Sequence, residues 1–148
     1  ANHFRWVKEV VEHLSGETLD LNQAAAEEAQ KPQAKGAALL AKYEADTNPV
    51  ALALYQFIAE GRAERNWDMM AACIEDEFIS NRYAKIARDE GFHSNIGRYK
   101  LEQLCTDAGV QAQVEAMADQ MRRDLFEISC QNSIATVEAR EIFNAAYN

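Results

Sequence analysis

Glu90 and His93 are the residues of this chain whose types and spacing most clearly suggest chemistry. They lie three positions apart in a stretch with helical periodicity, which places both side chains on one face of a helix, about one turn apart. The rest of that face is apolar and consists of Ile79, Tyr83, Ile86, Gly97, Leu101 and Leu104. A carboxylate and an imidazole on such a face are costly to bury unless a partner compensates them. A metal ion is one such partner, because it accepts both ligand types.

A second carboxylate, Glu60, lies in the preceding helical segment, again on an apolar face. The other residues of this face are Ala53, Phe57, Ala63, Trp67, Met70 and Ile74. The tight turn between the two segments predicts antiparallel neighbouring helices, so Glu60 should face Glu90 and His93 across the core. Three ligands on two adjacent helices form half of a bundle-type dinuclear site. This mixture of oxygen and imidazole ligands favours iron or manganese, and zinc is also compatible with it.

The same three residues also have a purely structural interpretation. Four arginines lie close enough in the sequence to neutralise Glu60 or Glu90, namely Arg62, Arg65, Arg88 and Arg98. His93 can then be a neutral core histidine with its own hydrogen-bond partner. On this interpretation the chain is a metal-free helical bundle that serves as a binding or assembly module, with a buried polar network at its centre.

Length, composition and charge restrict the class of protein. The chain has 148 residues, and its six glycines and two prolines leave long stretches free for helices. We therefore predict an all-α fold in a single domain, with N-terminal helices and a connector in 1–46 and the main bundle in 47–148. The net charge of −9 disfavours nucleic acid or an anionic membrane surface as a partner. No apolar run approaches the roughly 18 residues of a membrane span.

The cysteines and the chain ends bear on where the protein works. Cys73, Cys105 and Cys130 are widely spaced within helical patterns, which indicates reduced side chains rather than a disulfide framework or a zinc site. The first residues lack the apolar segment of a secretory signal. We therefore predict a cytoplasmic protein. Because the chain begins without methionine, we expect a processed product or a piece of a longer protein.

Capping residues and helix breakers predict the helix boundaries. Asn48 is a suitable N-cap, and Pro49 suits the first turn of the helix that follows. Residues 17–35 read as a polar connector interrupted at Pro32, and Asn132–Ser133 is the predicted bend in the last segment. The predicted helical segments are about 2–14, 36–45, 47–74, 77–105 and 110–147.

The segment from about Pro49 to Leu104 resembles the first helix pair of the ferritin-like superfamily. Its motif helix, I-A-R-D-E-G-F-H-S, is similar to that of di-iron oxygenases and rubrerythrin-like proteins. The resemblance implies a ferritin-like helical bundle with a dinuclear iron cofactor, or a manganese or mixed one. It implies that Glu60 is a terminal or bridging ligand, Glu90 the bridging carboxylate and His93 a terminal nitrogen ligand. The implied function is an oxidase or oxygenase that uses dioxygen or peroxide, or a ferroxidase.

The second half of such a site has no clear counterpart here, because no histidine follows His93 in the chain. The candidates within the chain are Glu127, which we expect to face water, the pair Glu138 and Glu141, and His13 on the first helix. Three other arrangements are open. Two chains can share the site in a homodimer or larger homo-oligomer, a missing helix can belong to a longer parent chain, or the half-site can be vestigial in a non-catalytic subunit.

Overall fold

The computed structural model describes residues 2–28 and 35–147, and within these ranges it is helical and contains no strand. The prediction of an all-α fold is therefore confirmed. A short π-helical segment, Gln56–Glu60, joins the fourth and fifth α-helices without a break. The α-helices are α1 (Asn2–Ser15), α2 (Leu21–Glu28), α3 (Lys35–Glu44), α4 (Pro49–Tyr55), α5 (Gly61–Cys73), α6 (Glu77–Leu104) and α7 (Ala108–Tyr147).

The structure differs from the predicted elements in two places. The connector predicted for 17–35 contains α2, which begins where the Asp20 carboxylate accepts hydrogen bonds from the backbone of Asn22 and Gln23. Pro32 lies outside the described residues. The bend predicted at Asn132–Ser133 is wrong, since α7 continues through both positions. Asparagine and serine are only mildly unfavourable within a helix, so a long helix tolerates them.

The start of α4 follows the predicted capping. The Asn48 side chain accepts a hydrogen bond from the Val50 backbone at 3.0 Å, and Pro49 occupies the first turn, where its missing N–H is not needed. This cap fixes the direction in which the chain enters the α4–π–α5 segment. Glu60, the last residue of the π segment, therefore extends from a helix with a defined start.

We expect Asn48→Ala to destabilise the fold by about 1 kcal/mol, because the partly buried start of α4 then loses a side-chain acceptor. Urea unfolding followed by circular dichroism measures this change. Asn48→Asp is the matched control, since aspartate caps as well as asparagine does. Equal destabilisation by both variants would contradict the capping role.

The main apolar core lies between α3, α4, α6 and α7. Leu54 of α4 and Met121 of α7 are among the most completely buried side chains. This core packs directly beside the π segment and holds it against α6. The buried members of the cluster are Leu39, Tyr43, Val50, Ala51, Ala53, Leu54, Leu101, Ala118 and Met121.

Small residues on one face of α6 allow the α4–π–α5 segment to approach closely. A Cβ atom at Gly97 would lie 2.5 Å from the backbone nitrogen of Phe57, and one at Gly91 would lie 2.5 Å from a carboxylate oxygen of Glu64. Between these glycines, Ser94 donates a hydrogen bond from Oγ to the Phe57 carbonyl at 3.1 Å. The backbone of the π segment therefore lies directly against α6.

Contacts nearer the turn between α5 and α6 continue this interface in reversed order along the two helices. The Trp67 and Tyr83 rings meet edge to face, with centroids 4.9 Å apart. Closer to the turn, Ser80 donates from Oγ to the Ala71 carbonyl at 2.8 Å. With increasing distance from the turn, the contacts therefore involve earlier residues of α5 and the π segment and later residues of α6.

The N-terminal helix α1 lies against α6 through polar contacts. Arg82 of α6 donates from Nε to Glu9 at 2.9 Å, and His13 lies 2.7 Å from the carboxylate of Asp76, the N-cap of α6. Of the α1 residues, Val10 is buried. The apolar residues Phe4, Val7, Val11 and Leu14, which share one face of this helix, are exposed.

The structure also bears on the predictions about the cysteines and about a membrane span. All three cysteines are free thiols; Cys73 and Cys130 are exposed, whereas Cys105 is half-buried. In the part of the chain that the structure describes, no helix has both the length and the apolar character needed to span a bilayer.

Candidate metal centre

Glu60 owes its position to the π segment. The hydrogen bonds of a π-helix span five residues rather than the four of an α-helix, and short π segments within α-helices occur frequently at functional sites. Their wider turns leave backbone groups in need of other partners, and Ser94 of α6 supplies one by donating to the Phe57 carbonyl. Helical periodicity places Glu60 on the correct side of its helix, but it gives no signal for this local widening.

The structure brings together the three side chains that the sequence singled out. One donor atom from each of Glu60, Glu90 and His93 lies within 4.8 Å of the other two. The Nδ1 atom of His93 lies 3.4 Å from Oε2 of Glu60 and 3.8 Å from Oε2 of Glu90. Glu60 and Glu90 are mostly covered, whereas the His93 side chain is 40% exposed. The cluster therefore lies just below the surface and opens at His93.

Burial is unfavourable for the charges of both carboxylates. Desolvation raises the pKa of Glu60 above its ordinary value, and the nearby Glu90 charge raises it further, while His93 opposes the shift. Desolvation likewise raises the pKa of Glu90, with a further increase from Asp89, against the opposing effects of His3 and His93. Two carboxylates repelling each other in a half-buried site gain when a cation joins them.

The arginines that could have neutralised these carboxylates are engaged elsewhere or remain apart from them. In the described part of the chain, no arginine or lysine forms an ion pair with Glu60 or Glu90. Arg62 instead contacts Ser129 of α7, and Arg98 lies 3.8 Å from Glu102 on its own helix. The structural interpretation thus lacks its expected arginine ion pairs. The groups that favour a charged Glu60 are His93, His3 and Lys100.

One buried atom of the cluster lacks a hydrogen-bond partner among the described residues. Oε2 of Glu60 is buried and accepts no hydrogen bond from any described residue, although it lies 3.4 Å from His93. A buried carboxylate oxygen without a hydrogen-bond partner is uncommon and needs an explanation. A metal ion would provide one, because carboxylate oxygen and imidazole nitrogen are ligands that iron, manganese and zinc accept. The residues present therefore fit a metal ion.

His3 is a member of this region that the sequence analysis missed. Its Nδ1 atom lies 3.5 Å from Oε1 of Glu90, and its ring centroid lies 6.3 Å from that of His93. Its Nε2 atom lies 2.7 Å from Oδ2 of Asp89. The sequence feature that could have indicated its role is that α1 carries two of the three histidines in the chain, one of them at its second residue. Without the docking of α1 on α6, nothing in the sequence connects His3 with Glu90.

The other candidates for a second half-site whose side chains the structure describes, His13 and Glu127, do not join the cluster. His13 is paired with Asp76 at the start of α6, so it is not a ligand beside Glu90. Glu127 is exposed, as predicted, and accepts a hydrogen bond from Gln131 at 2.9 Å. The side chains of Glu138 and Glu141 lie outside the described residues.

The resemblance to the ferritin-like superfamily depends on Glu60 and on the Glu90-x-x-His93 motif. No protein-family model matches the chain, and no curated protein or solved structure gives a significant match to it. The function proposed next is supported by the geometry and donor chemistry of the cluster itself.

Proposed function

We propose that this chain is a ferritin-like, non-haem metal protein that binds a dinuclear iron centre and acts as an oxidase, an oxygenase or a ferroxidase. The observation that carries the proposal is the convergence of Glu60, Glu90 and His93 within 4.8 Å, with Oε2 of Glu60 buried and without a hydrogen-bond partner. The reversed order of contacts along α5 and α6 supports the antiparallel helix pair that such a bundle requires.

The three side chains have distinct roles in this proposal. Glu60 and His93 hold the ion from opposite helices, with Oε2 of Glu60 and Nδ1 of His93 3.4 Å apart. Glu90 presents its two oxygens toward different imidazoles, which suits a bridging carboxylate. The positive charge of the ion takes the place of an ion pair with arginine or lysine, which neither carboxylate forms in the described structure. Manganese is an alternative occupant, because it accepts the same ligands.

Bound iron supplies redox chemistry with dioxygen or peroxide, which no side chain provides. The protein controls access to the site. Half-exposed His93 and its exposed neighbour Phe92 leave one side open to small reagents, while buried Ile86 and Leu54 exclude water from the bundle interior. The chain's net charge of −9 attracts cations, which favours a supply of ferrous ions to the site.

The exposed face of α1 supports the proposal of a homodimer or larger homo-oligomer. Phe4 and Leu14 are each more than 60% exposed, and Val7 and Val11 lie between them on the same face. An apolar stripe at helical spacing is costly to leave in water and commonly packs against another helix. A second copy of α1 offers such a surface.

The competing proposal is a metal-free binding or assembly module, or a non-catalytic subunit with a vestigial half-site. The contacts of His93 with two carboxylates favour it, because a protonated imidazole could partly compensate both charges. This proposal predicts that added metal leaves the thermal stability unchanged. The metal proposal predicts a rise in Tm, because an ion that binds only the folded state stabilises it.

Glu60→Gln separates the two proposals because it should change stability in opposite directions with and without metal. Burial raises the pKa of Glu60 in the folded chain, so ionisation of this group opposes folding. The loss of stability begins as pH rises through the unfolded value of 4.5 and is complete above the raised pKa. Metal-free Glu60→Gln should therefore be more stable than metal-free wild type at pH 7, and this advantage should vanish below about pH 4.5.

With saturating ferrous iron under anaerobic conditions, the order should reverse. Wild type should gain Tm, whereas Glu60→Gln should gain little, because an amide is a weaker metal ligand than a carboxylate. Thermal unfolding at pH 7 with and without iron, and at about pH 3.5 without iron, provides all the comparisons. An equal iron-dependent rise in both proteins would refute a ligand role for Glu60.

A further inference from the structure

The two oxygens of Glu90 face two different histidines. Oε2 lies 3.8 Å from Nδ1 of His93, on the side of Glu60, and Oε1 lies 3.5 Å from Nδ1 of His3. Both distances are longer than an ordinary N–H···O hydrogen bond. In the cluster of Glu60, Glu90 and His93, Glu90 takes part through Oε2 only. The second oxygen and His3 therefore form a separate pair of donors on the other side of the same carboxylate.

The separation of this second pair suits a shared ion. Two ligand atoms that each lie about 2.1 Å from one ion, at a tetrahedral angle, are about 3.4 Å apart. The distance from His3 Nδ1 to Glu90 Oε1 is 3.5 Å, and the distance from His93 Nδ1 to Glu60 Oε2 is 3.4 Å. When the His3 ring is neutral and its proton is on Nε2, Nδ1 and the carboxylate oxygen both present lone pairs, so an ion between them removes a repulsion.

Asp89 orients His3 for this role. Its Oδ2 atom lies 2.7 Å from Nε2 of His3, a buried ring nitrogen with no aligned hydrogen bond in the described residues. A carboxylate at one ring nitrogen is the usual way in which a protein fixes the tautomer of a metal-binding histidine. Once the ring and the carboxylate align, Asp89 would hold the proton at Nε2 and leave Nδ1 free toward Glu90.

Helix α1 holds His3 in place from a rigid element. The His3 ring stacks on Trp6 with centroids 5.9 Å apart. Further along the helix, Glu9 pairs with Arg82 and His13 with Asp76, so α1 is attached to α6 at three points. A histidine at the first turn of a docked helix loses little further freedom when it binds an ion.

We propose that His3 and Oε1 of Glu90 form a second metal position in the same chain, with Asp89 as the positioning residue for His3. The proposal rests on the metal-binding function of Glu60, Glu90 and His93. It provides the second half of the dinuclear centre from α1, with neither a second Glu-x-x-His motif nor a second copy of the chain. The chain then binds two ions joined by Glu90.

Titration with Co²⁺, an ion with visible absorption bands that accepts the same ligands as Fe²⁺, tests this proposal. We expect wild type to bind two Co²⁺ per chain by equilibrium dialysis, and His3→Ala to bind one. His13→Ala is the matched control, because it removes a histidine from the same helix, one that contacts Asp76 rather than Glu90. It should still bind two ions.

Asp89→Asn tests the positioning role by a different measurement. It keeps His3 and removes the carboxylate charge, so the second ion should bind about 10–100-fold more weakly, while the first ion, which has no contact with His3, should be much less affected. Circular dichroism melts confirm that each variant is folded at the titration temperature. His3→Asp should restore the second ion with changed absorption bands, since it returns a ligand at the same position.

The outcomes separate this proposal from the function on which it rests. If His3→Ala binds as many ions as wild type, the second position is refuted while the first site stands. If His3→Ala and His13→Ala lose the second ion equally, the loss comes from α1 docking and the ligand role is refuted. If wild type binds no Co²⁺, the metal function itself fails.

Discussion

Glu90→Ala should reduce the affinity of the chain for ferrous iron by on the order of 10³-fold or more, the largest effect on binding that we expect from one substitution. Changes to residues that only support ligands typically reduce metal affinity about 10–100-fold, and the loss of a direct ligand should exceed this. Glu90 is also the carboxylate that faces both His3 and His93, so its removal affects both proposed metal positions. Anaerobic titration against a chelator of known affinity measures the change.

Glu102→Ala is the control for this variant. Glu102 lies on the same helix, is exposed and contacts only Arg98 in the described structure, so its removal should leave iron affinity unchanged. The folded fraction of Glu90→Ala should be at least that of wild type without metal, because burial raises the pKa of Glu90 and its charge opposes folding. Wild-type iron affinity in folded Glu90→Ala would contradict the ligand role of Glu90, whereas unfolding of the variant together with no iron binding by wild type would favour the metal-free polar network.

Gly97→Ala should have the largest effect on the fold. The added Cβ would lie 2.5 Å from the backbone nitrogen of Phe57 and 2.6 Å from the carbonyl oxygen of Ala53. Both are backbone atoms, one in the π segment and one near the end of α4, so neither can rotate away, and the backbone itself must move. Overpacking costs about 1–3 kcal/mol or more, which exceeds the roughly 1 kcal/mol that alanine gains over glycine within a helix. We expect a net loss of about 2 kcal/mol and a fall in Tm of about 4–8 °C.

Gly91→Ala provides the comparison for this prediction. It makes the same change on the same helix, but the added Cβ meets the end of the flexible Glu64 side chain, which can move aside. It should therefore cost less than Gly97→Ala. Because Gly97 holds the segment that carries Glu60, Gly97→Ala should also weaken metal binding. If Gly97→Ala were as stable as wild type, the close packing of the π segment on α6 would be contradicted.

The helices and the central cluster could be predicted because their signals are local. Asn48 and Pro49 mark a helix start by their own chemistry, and the three-residue spacing of Glu90 and His93 fixes their common face. Glu60 could be placed opposite them because a tight turn leaves two neighbouring helices few ways to pack. The bend at Asn132–Ser133 was wrong because weak helix formers do not end a long helix by themselves.

The part of the site that depends on tertiary packing could not be predicted. His3 reaches Glu90 only because α1 docks on α6 through Asp76, Arg82 and Asp89, and these contacts are far apart in the sequence. A periodic apolar face predicts that a helix packs through that face, whereas α1 docks largely through charged groups and leaves the apolar face exposed. The π segment likewise could not be predicted, because it packs against Ser94 and Gly97 of α6, which are far from it in the sequence.

The most direct test of the central claim is the metal content of the protein as isolated. Wild type and Glu90→Ala should be expressed with added iron, purified without chelators and analysed for iron, manganese and zinc per chain. We expect stoichiometric iron in wild type, with two ions per chain if His3 completes the centre, and little or none in Glu90→Ala. If wild type contains no stoichiometric metal and gains none on anaerobic addition of ferrous iron, the claim that Glu60, Glu90 and His93 form a metal centre is contradicted.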